Sequence, residues 1–149
     1  MTSDGDLPSP PDDVTVEPAT PDDRLDVLRI LDAAMLETDA DAVDDRIAAG
    51  DALVARSTRT GGVVGALVAT RPEPDRLHVD ALAVRRARRG RGIGSALVAA
   101  AVDRGVSDPA VEVVTAAFDA DLTAFYEAAG FAVDADGAAA GRRTGRRPA

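Results

Sequence analysis

The sequence predicts a domain with both helices and strands, α/β in the broad sense and α+β in the narrow one, built on one mixed sheet. Three strand-like apolar runs, at residues 52–57, 63–70 and 77–84, follow one another through short turns that contain Gly or Pro, which is typical of an antiparallel meander. A helical stretch at residues 94–105 then leads to a further strand at 111–116, and strands joined through a helix lie parallel. The sheet is therefore predicted to be mostly antiparallel, with a central parallel strand pair and about four flanking helices.

The boundaries of the domain follow from composition. Residues 1–13 are rich in Pro and Asp and have no apolar periodicity, so we expect them to form a disordered lead. A short first strand is expected at residues 14–16, and the domain as a whole at residues 14–133. Beyond this point the apolar signal fades, and residues 134–149 are predicted to be a weakly structured basic tail.

Four helices are predicted around the strands. Thr20, followed by Pro, is a typical helix start, and the first helix is expected to run to about residue 37. The apolar residues expected on its inner face are Leu25, Leu28, Leu31 and Met35. A second helix is expected between Asp39 and Gly50. The helix at residues 94–105 is expected to end at Gly105, and a fourth, at residues 121–129, closes at Gly130 with Phe131 folded back on it.

A turn rich in glycine and arginine links the strand at residues 77–84 to the third helix. Gly90, Gly92 and Gly94 can adopt positive φ and allow a ligand to approach the backbone closely. The helix start adds unpaired N–H groups and the positive end of a dipole. Five arginines surround the turn: Arg85, Arg86, Arg88, Arg89 and Arg91. These features predict a pyrophosphate site, and an ordinary strand-to-helix turn is the alternative.

Two common phosphate motifs do not fit this turn. A P-loop needs Lys after its last Gly, but all 17 basic residues are Arg. The dinucleotide fingerprint needs Gly three positions after Gly92, where the chain has Ser95. The pattern present is Arg89-x-x-Gly92-x-Gly94, preceded by Ala-Leu-Ala-Val84.

This pattern resembles the coenzyme A pyrophosphate motif of the GNAT family of N-acetyltransferases. A second block, Ala124-Phe125-Tyr126-Glu127-x-x-Gly130-Phe131, is similar to the C-terminal block of the same family and stands at a matching distance. The resemblance covers roughly residues 14–133. It implies the GNAT fold and the transfer of an acetyl group from acetyl-CoA to a primary amine, by direct attack in a ternary complex.

The resemblance also implies which residues contact acetyl-CoA. In this family the strand before the turn bulges away from its parallel neighbour, so the backbone N–H of Leu82 or Ala83 is expected to bind the thioester carbonyl. The full set of expected contacts is Leu82, Ala83, Val84, Arg89, Gly90, Arg91, Gly92, Ile93, Gly94, Ser95, Asp121 and Tyr126. No metal is required, because backbone amides and the helix dipole neutralise the diphosphate.

Two departures from the family pattern carry consequences. Asp121 stands where many relatives carry an Asn that hydrogen-bonds near the coenzyme, which leaves that contact in question. The last family strand is not evident after Val133. It therefore stays open whether the sheet is complete at its acceptor-side edge and whether the chain forms a homodimer.

The reaction needs a base for the amine and a proton for the departing thiolate. Tyr126 matches the family position that protonates the sulfur, with a core-packing role as the alternative. His78 and Asp80 alternate along their strand, so both are expected to project from the same face as Leu82, just upstream of the thioester. Either is a candidate base, and ordered water is the alternative.

Charge and composition indicate the kind of organism and the compartment in which the protein works. The chain has 26 acidic and 17 basic residues and a net charge of −9. Asp-rich acidity without lysine resembles the proteins of halophilic archaea, and a GC-rich organism without high internal salt is the alternative. Cysteine is absent and there is one histidine, so neither a disulfide nor a metal site is expected. No apolar run spans a membrane and no leader is evident, which favours the cytoplasm.

Three functions are weighed against one another. The first is an acetyl-CoA-dependent N-acetyltransferase, whose acceptor, a small-molecule or protein amine, the sequence does not identify. The second is a non-catalytic acyl-CoA-binding or regulatory module with the same fold. The third is a nucleic-acid-binding module that uses the arginines of residues 85–91 and 142–147, but the acidic net charge and the lack of aromatic residues in both clusters disfavour it.

Overall fold

The computed structural model describes residues 11–33, 39–134 and 142–149. Its strands are β1 (Val14–Pro18), β2 (Ala52–Ser57), β3 (Val63–Glu73), β4 (Arg76–Val84), β5 (Val113–Asp119), β6 (Ala132–Asp134) and β7 (Arg142–Pro148). Its α-helices are α1 (Arg24–Ala33), α2 (Ala40–Ala49), α3 (Ile93–Ser107) and α4 (Thr123–Ala128). Short 3₁₀ helices occur at Pro21–Asp23, Arg86–Arg88 and Ala120–Leu122.

The strands form a single sheet in the order β1-β2-β3-β4-β5-β7-β6. In the described part of this sheet, β4 and β5 run parallel and all other neighbouring strands run antiparallel. Helix α3 makes the crossover between the parallel strands. The predicted mixed sheet with a central parallel pair and four helices is therefore confirmed.

Helices cover both faces of the sheet. One apolar cluster joins α3 and α4 to the strands and includes Leu97 and Phe118. The other joins α1 and α2 to the opposite face and includes Val27 and Val43. None of the helices in the described ranges is long and apolar enough to cross a bilayer.

Helix α1 buries part of the predicted stripe and a second one beside it. Leu31 is buried and Leu28 is half-buried, as predicted, whereas Leu25 is 58% exposed. The other buried apolar residues of the helix are Val27 and Ile30. Apolar residues at positions 25, 27, 28, 30 and 31 form two overlapping stripes with helical spacing, and packing of α1 on β3 and β4 selects between them. The predicted end of this helix, with Met35, lies outside the described residues.

Helix α3 continues past Gly105, which was predicted to end it, and runs to Ser107. A Cβ at Gly105 would lie 2.8 Å from Cγ2 of Val114. The missing side chain thus lets α3 approach β5 closely, and it is not a terminating signal. The C-cap is Asp108, three residues later than predicted.

The prediction of a weakly structured C-terminal tail is wrong for residues 142–148. These residues form β7, which pairs along the whole length of β5, from Val113 to Asp119. Arg and Gly have little intrinsic preference for strands, so the ladder to β5 and the packing of Gly145 beside Phe118 decide the conformation here. Residues 135–141 lie outside the described residues.

The predicted disordered lead is also ordered at its end. The backbone C=O of Asp13 accepts a hydrogen bond from Thr58 N–H at 2.9 Å, and the Asp13 carboxylate lies 3.7 Å from Nη1 of Arg88. This end of the lead is therefore held against the domain. Residues 1–10 lie outside the described residues.

An ion-pair network links the residue before β2 to β3 and α3. At its centre is Asp51, whose side chain has no exposed surface. Arg71 Nε donates to its Oδ2 at 2.9 Å and Arg104 Nε to its Oδ1 at 2.8 Å, while Arg71 Nη1 reaches Asp108 at 2.7 Å. Burial alone would raise the pKa of Asp51, but the hydrogen bonds and charges of Arg71 and Arg104 outweigh it and lower the pKa. Asp51 is therefore ionised in the folded protein.

We expect Asp51→Ala to lower the free energy of unfolding by about 3 kcal/mol at neutral pH, because two arginines lose their buried partner. Since the pKa of Asp51 is lower in the folded than in the unfolded chain, its contribution is present above about pH 4 and is lost as the pH falls through the folded pKa. Urea denaturation at several pH values measures both effects.

The matched control is Asp44→Ala, which removes the exposed partner of Arg24. An exposed ion pair contributes less than about 1 kcal/mol. Equal losses in the two variants would contradict the importance assigned to the Asp51 network.

Candidate active site

A cavity opens where the parallel strands part. Pairing between β4 and β5 covers only Arg76–Val79 and Val113–Ala116. Strand β4 also has a bulge, because Val79 pairs with Ala69 and Ala81 with Val68, which leaves Asp80 as the additional residue. Beyond this point the two strands line opposite sides of a cavity of about 660 Å³.

All but two of the candidate site residues line this cavity, and His78 and Arg91 are the exceptions. The candidates that line it are Asp80, Leu82, Ala83, Val84, Arg89, Gly90, Gly92, Ile93, Gly94, Ser95, Asp121 and Tyr126. Residues outside the set of predicted contacts also line it: Ala81, Arg88, Ala117, Phe118, Asp119, Leu122 and Phe125. Ala117, Phe118 and Asp119 were missed because the predicted strand stopped at residue 116, whereas β5 runs to Asp119. Ala and Asp are uncommon in strands and gave no signal of this extension.

The glycine turn has the open backbone that its sequence predicts. Gly90 has φ 78° and Gly92 has φ 83°, and a Cβ at either position would meet nothing within 4 Å. The first α-helical hydrogen bond of α3 runs from Ala96 N–H to Gly92 C=O at 3.0 Å, so the three preceding amides, at residues 93–95, are left as donors toward the cavity. Open space, unused donors and the positive end of a 15-residue helix meet at one place, as an anion site requires.

Arginines supply further positive charge beside this turn. Arg89 Nε donates to Val84 C=O at 3.1 Å, which holds this side chain against the end of β4. Arg85 Nε donates to Val63 C=O at 2.8 Å, at the start of β3. Arg88 and Arg89 line the cavity, whereas Arg91 is exposed away from it. In the described ranges no group of three His, Cys, Asp or Glu residues is arranged to hold a metal ion.

The end of β4 presents backbone groups to the cavity. Arg85 N–H donates to Val64 C=O at 2.8 Å, and the register from Ala81 to Val84 is regular. Because alternate residues of an antiparallel strand bond to the same neighbour, Ala83 bonds toward β3, and Leu82 and Val84 turn their N–H and C=O groups toward β5. The hydrogen bond from Arg89 to Val84 C=O agrees with this assignment.

The bulge at Asp80 also changes which side chains share a face. Val79 and Leu82 both pack on the α3 side of the sheet, although they are three residues apart. His78, next to Val79, therefore lies on the opposite face from Leu82, and the predicted common face of His78, Asp80 and Leu82 is wrong. A bulge depends on pairing with β3, so alternation along β4 alone does not reveal it.

His78 and Asp80 differ in their surroundings. His78 is half-buried, with Nδ1 2.7 Å from Oγ1 of Thr115, and burial lowers the pKa of His78 more than nearby Asp80 raises it; Arg76 lowers it further. The imidazole is therefore neutral at pH 7. Asp80 is exposed and lines the cavity.

Tyr126 is held rigidly at the cavity wall. It is 1% exposed, and its ring stacks on Phe118 with a centroid distance of 4.1 Å. The rings of Phe125 and Phe131 are nearly perpendicular to it, with centroid distances of 5.1 and 5.4 Å. Helix α4 closes as predicted, since Phe131 N–H donates to Tyr126 C=O at 3.1 Å and Gly130, with φ 93°, donates to Glu127 C=O at 3.0 Å. The ring is thus packed in the core and lines the cavity as well.

The family model of the acetyltransferase (GNAT) family matches residues 24–131. This chain belongs to the GNAT family. The match includes both sequence blocks, the glycine turn and the segment around Tyr126, and confirms the resemblance that they carry. No curated protein sequence matches this GNAT chain.

Solved structures agree with the family assignment at the level of the fold. Ard1 from Thermoplasma volcanium superimposes with a TM-score of 0.74 and 22% identity, over 91% of this chain and 97% of its own. Naa50 from Arabidopsis thaliana, in complex with the bisubstrate analogue CoA-Ac-MVNAL, superimposes with a TM-score of 0.72 and 20% identity, over 91% of this chain and 98% of its own. N-acetylglutamate synthase from Neisseria gonorrhoeae, complexed with coenzyme A and N-acetyl-glutamate, superimposes with a TM-score of 0.69 and 17% identity, over 91% of this chain and 35% of its own.

Proposed function

We propose that this protein transfers an acetyl group from acetyl-CoA to a primary amine by direct attack in a ternary complex. The separation of β4 and β5 beside the start of α3 carries the proposal, because the glycine turn, the first amides of α3 and Tyr126 all line the cavity that opens there. Of the similar structures described above, Naa50 holds the bisubstrate analogue CoA-Ac-MVNAL, and N-acetylglutamate synthase holds coenzyme A with N-acetyl-glutamate. Both kinds of acceptor are therefore candidates.

Acetyl-CoA would bind through the backbone more than through side chains. Its diphosphate would accept hydrogen bonds from the amides at the start of α3, with Arg88 and Arg89 beside it. Its thioester arm would follow β4 into the gap, where Leu82 N–H, rather than Ala83 N–H, would donate to the carbonyl oxygen, because Ala83 bonds toward β3. Charge that develops on this oxygen during attack would be stabilised by the Leu82 donor.

The chemistry then needs two proton transfers. The amine nitrogen attacks the thioester carbon and forms the N–C bond, and Asp80 takes the proton that the nitrogen loses, directly or through a water. The C–S bond breaks with its electron pair on sulfur, and the Tyr126 hydroxyl protonates the thiolate. After the transfer, Tyr126 recovers its proton from solvent. Asp80 is favoured over His78 as the base because Asp80 lines the cavity and His78 does not.

The test is turnover of acetyl-CoA with a panel of acceptors. The panel contains peptides with a free N-terminal Met, amino acids and polyamines, and the readouts are free thiol and the mass of the acetylated product. Thiol release that depends on the acceptor supports the proposal. Tight binding of coenzyme A by calorimetry, with no thiol release for any acceptor, would instead indicate the non-catalytic acyl-CoA-binding module.

A pair of variants separates the two candidate bases. We expect Asp80→Asn to lower kcat/KM about 100-fold, because the carboxylate that accepts the proton is lost without a change of shape. His78→Asn should cost much less, since His78 lies on the opposite face from Leu82. Steady-state rates over a range of pH measure both, and a larger loss in His78→Asn would reverse the assignment.

We also propose that the protein works in the cytoplasm of a halophile. A net charge of −9 opposes folding at low ionic strength, and ~1 M salt reduces the screening length to ~3 Å. The thermal midpoint is therefore expected to be higher in molar KCl than in dilute buffer. Equal midpoints by circular dichroism would remove this inference.

A further inference from the structure

Strand β7 forms the wall behind the aromatic cluster that holds Tyr126. A Cβ at Gly145 would lie 3.3 Å from Cβ of Phe131 and 3.4 Å from Cε1 of Phe118, the two rings between which Tyr126 packs. The strand approaches these rings so closely because residue 145 has no side chain. The position of Tyr126 therefore depends on a strand far from it in sequence.

Arg147, two residues further along the same face of β7, reaches the end of α4. Its Nη1 donates to Ala129 C=O at 2.7 Å. A Cβ at Gly130 would lie 2.5 Å from the same Nη1, so the guanidinium lies directly against the Gly130 backbone. Arg147 thus covers the turn that closes α4.

This turn is the one that holds Tyr126. Tyr126 C=O accepts the hydrogen bond from Phe131 N–H that closes the helix. Helix α4 has only six residues, and a helix of this length is not stable by itself, so its orientation depends on its closing turn and its neighbours. A cation at the C-terminal end also interacts favourably with the helix carbonyls.

We infer that Arg147 is a positioning residue for acetyl transfer: it fixes the closing turn of α4 and thereby the Tyr126 hydroxyl relative to the cavity. Arg147 does not line the cavity, so it acts through Tyr126 and not on the substrate. The inference rests on the proposed function, in which Tyr126 protonates the leaving sulfur.

The chain offers a specific spectroscopic probe, because it contains one Tyr and no Trp. Near-ultraviolet circular dichroism of the tyrosine band and titration of the phenol both report on Tyr126 alone. The variants are Arg147→Ala, Arg147→Lys and a charge-matched control, Arg59→Ala, whose exposed side chain lies in the turn between β2 and β3. Each is measured for kcat, for the KM of acetyl-CoA and for the tyrosine signal.

Arg147→Ala is expected to lower kcat about tenfold and to weaken the tyrosine signal, with the KM of acetyl-CoA nearly unchanged, because a small displacement of a reacting group is costly. Arg147→Lys should recover most of both, since an ammonium can also donate to Ala129 C=O. Arg59→Ala should change neither. In the Tyr126→Phe background, Arg147→Ala should add little further loss, because the hydroxyl through which it acts is already absent.

A folded Arg147→Ala variant with an unchanged tyrosine signal and full kcat would overturn the inference, and so would fully additive losses in the double variant. If Arg147→Ala does not fold, Arg147→Gln, which keeps a donor without the charge, is judged by the same criteria. Full kcat in Tyr126→Phe would instead defeat the acid role in the proposed function. The tyrosine signal of Arg147→Ala, which keeps Tyr126, would still decide whether Arg147 holds the ring.

Discussion

Gly92→Val is expected to weaken coenzyme A binding by at least about 100-fold, and in practice to abolish it. Gly92 has φ 83°, a conformation that costs a β-branched residue of the order of 1–3 kcal/mol or more. Its missing Cβ faces open space beside the start of α3, where the diphosphate is proposed to bind. Isothermal titration calorimetry with coenzyme A measures the loss.

Gly61→Val is the matched control for backbone strain. Gly61 also has a positive φ, 76°, and open space around its Cβ position, but it lies in the turn between β2 and β3 and does not line the cavity. This variant should lose stability and keep its affinity for coenzyme A. Unchanged affinity in a folded Gly92→Val, or an equal loss in Gly61→Val, would show that the diphosphate binds elsewhere.

Tyr126→Phe is expected to lower kcat by about 10–1000-fold and to leave the KM of acetyl-CoA nearly unchanged. If the hydroxyl protonates the sulfur as the C–S bond breaks, its contribution exists mainly in the transition state. The ring, with its contacts to Phe118, Phe125 and Phe131, survives the substitution. Steady-state kinetics with a reactive acceptor give both constants.

The thermal midpoint of Tyr126→Phe, measured on the same preparation, separates chemistry from packing. A midpoint close to that of the unaltered protein, together with a low kcat, places the effect in the reaction. Full kcat in a folded variant would mean that the hydroxyl is structural and that water or the acceptor protonates the sulfur.

The features that the sequence predicted well are those determined by neighbouring residues. The glycine turn, the capped helix between Asp39 and Gly50 and the closing turn at Gly130 each depend on a few local backbone conformations. Strand β2 spans the predicted residues because its apolar run is bounded by clear turn signals. The candidate residues Gly90, Gly92 and Gly94 were predicted from the same local signals, and all three line the cavity.

The features that were missed depend on residues distant in sequence. Strand β7 is arginine-rich and is a strand because β5 pairs with it. The bulge at Asp80 arises from the register of β4 against β3, and it moved His78 to the opposite face from Leu82. Gly105 was predicted to end α3 because nothing in the neighbouring sequence shows that Val114 lies against it. Pairing and packing of this kind leave no periodic signal in one chain.

The gap between β4 and β5 has a consequence for how freely such a chain can vary. The end of β4 presents backbone N–H and C=O groups to the cavity, and the start of α3 presents further backbone amides. Every residue type except proline has both groups. A ligand bound through them recognises the path of the main chain and depends little on the side chains. The sequence can then diverge widely while the binding site is kept, as long as the bulge, the positive-φ glycine and the helix start are retained.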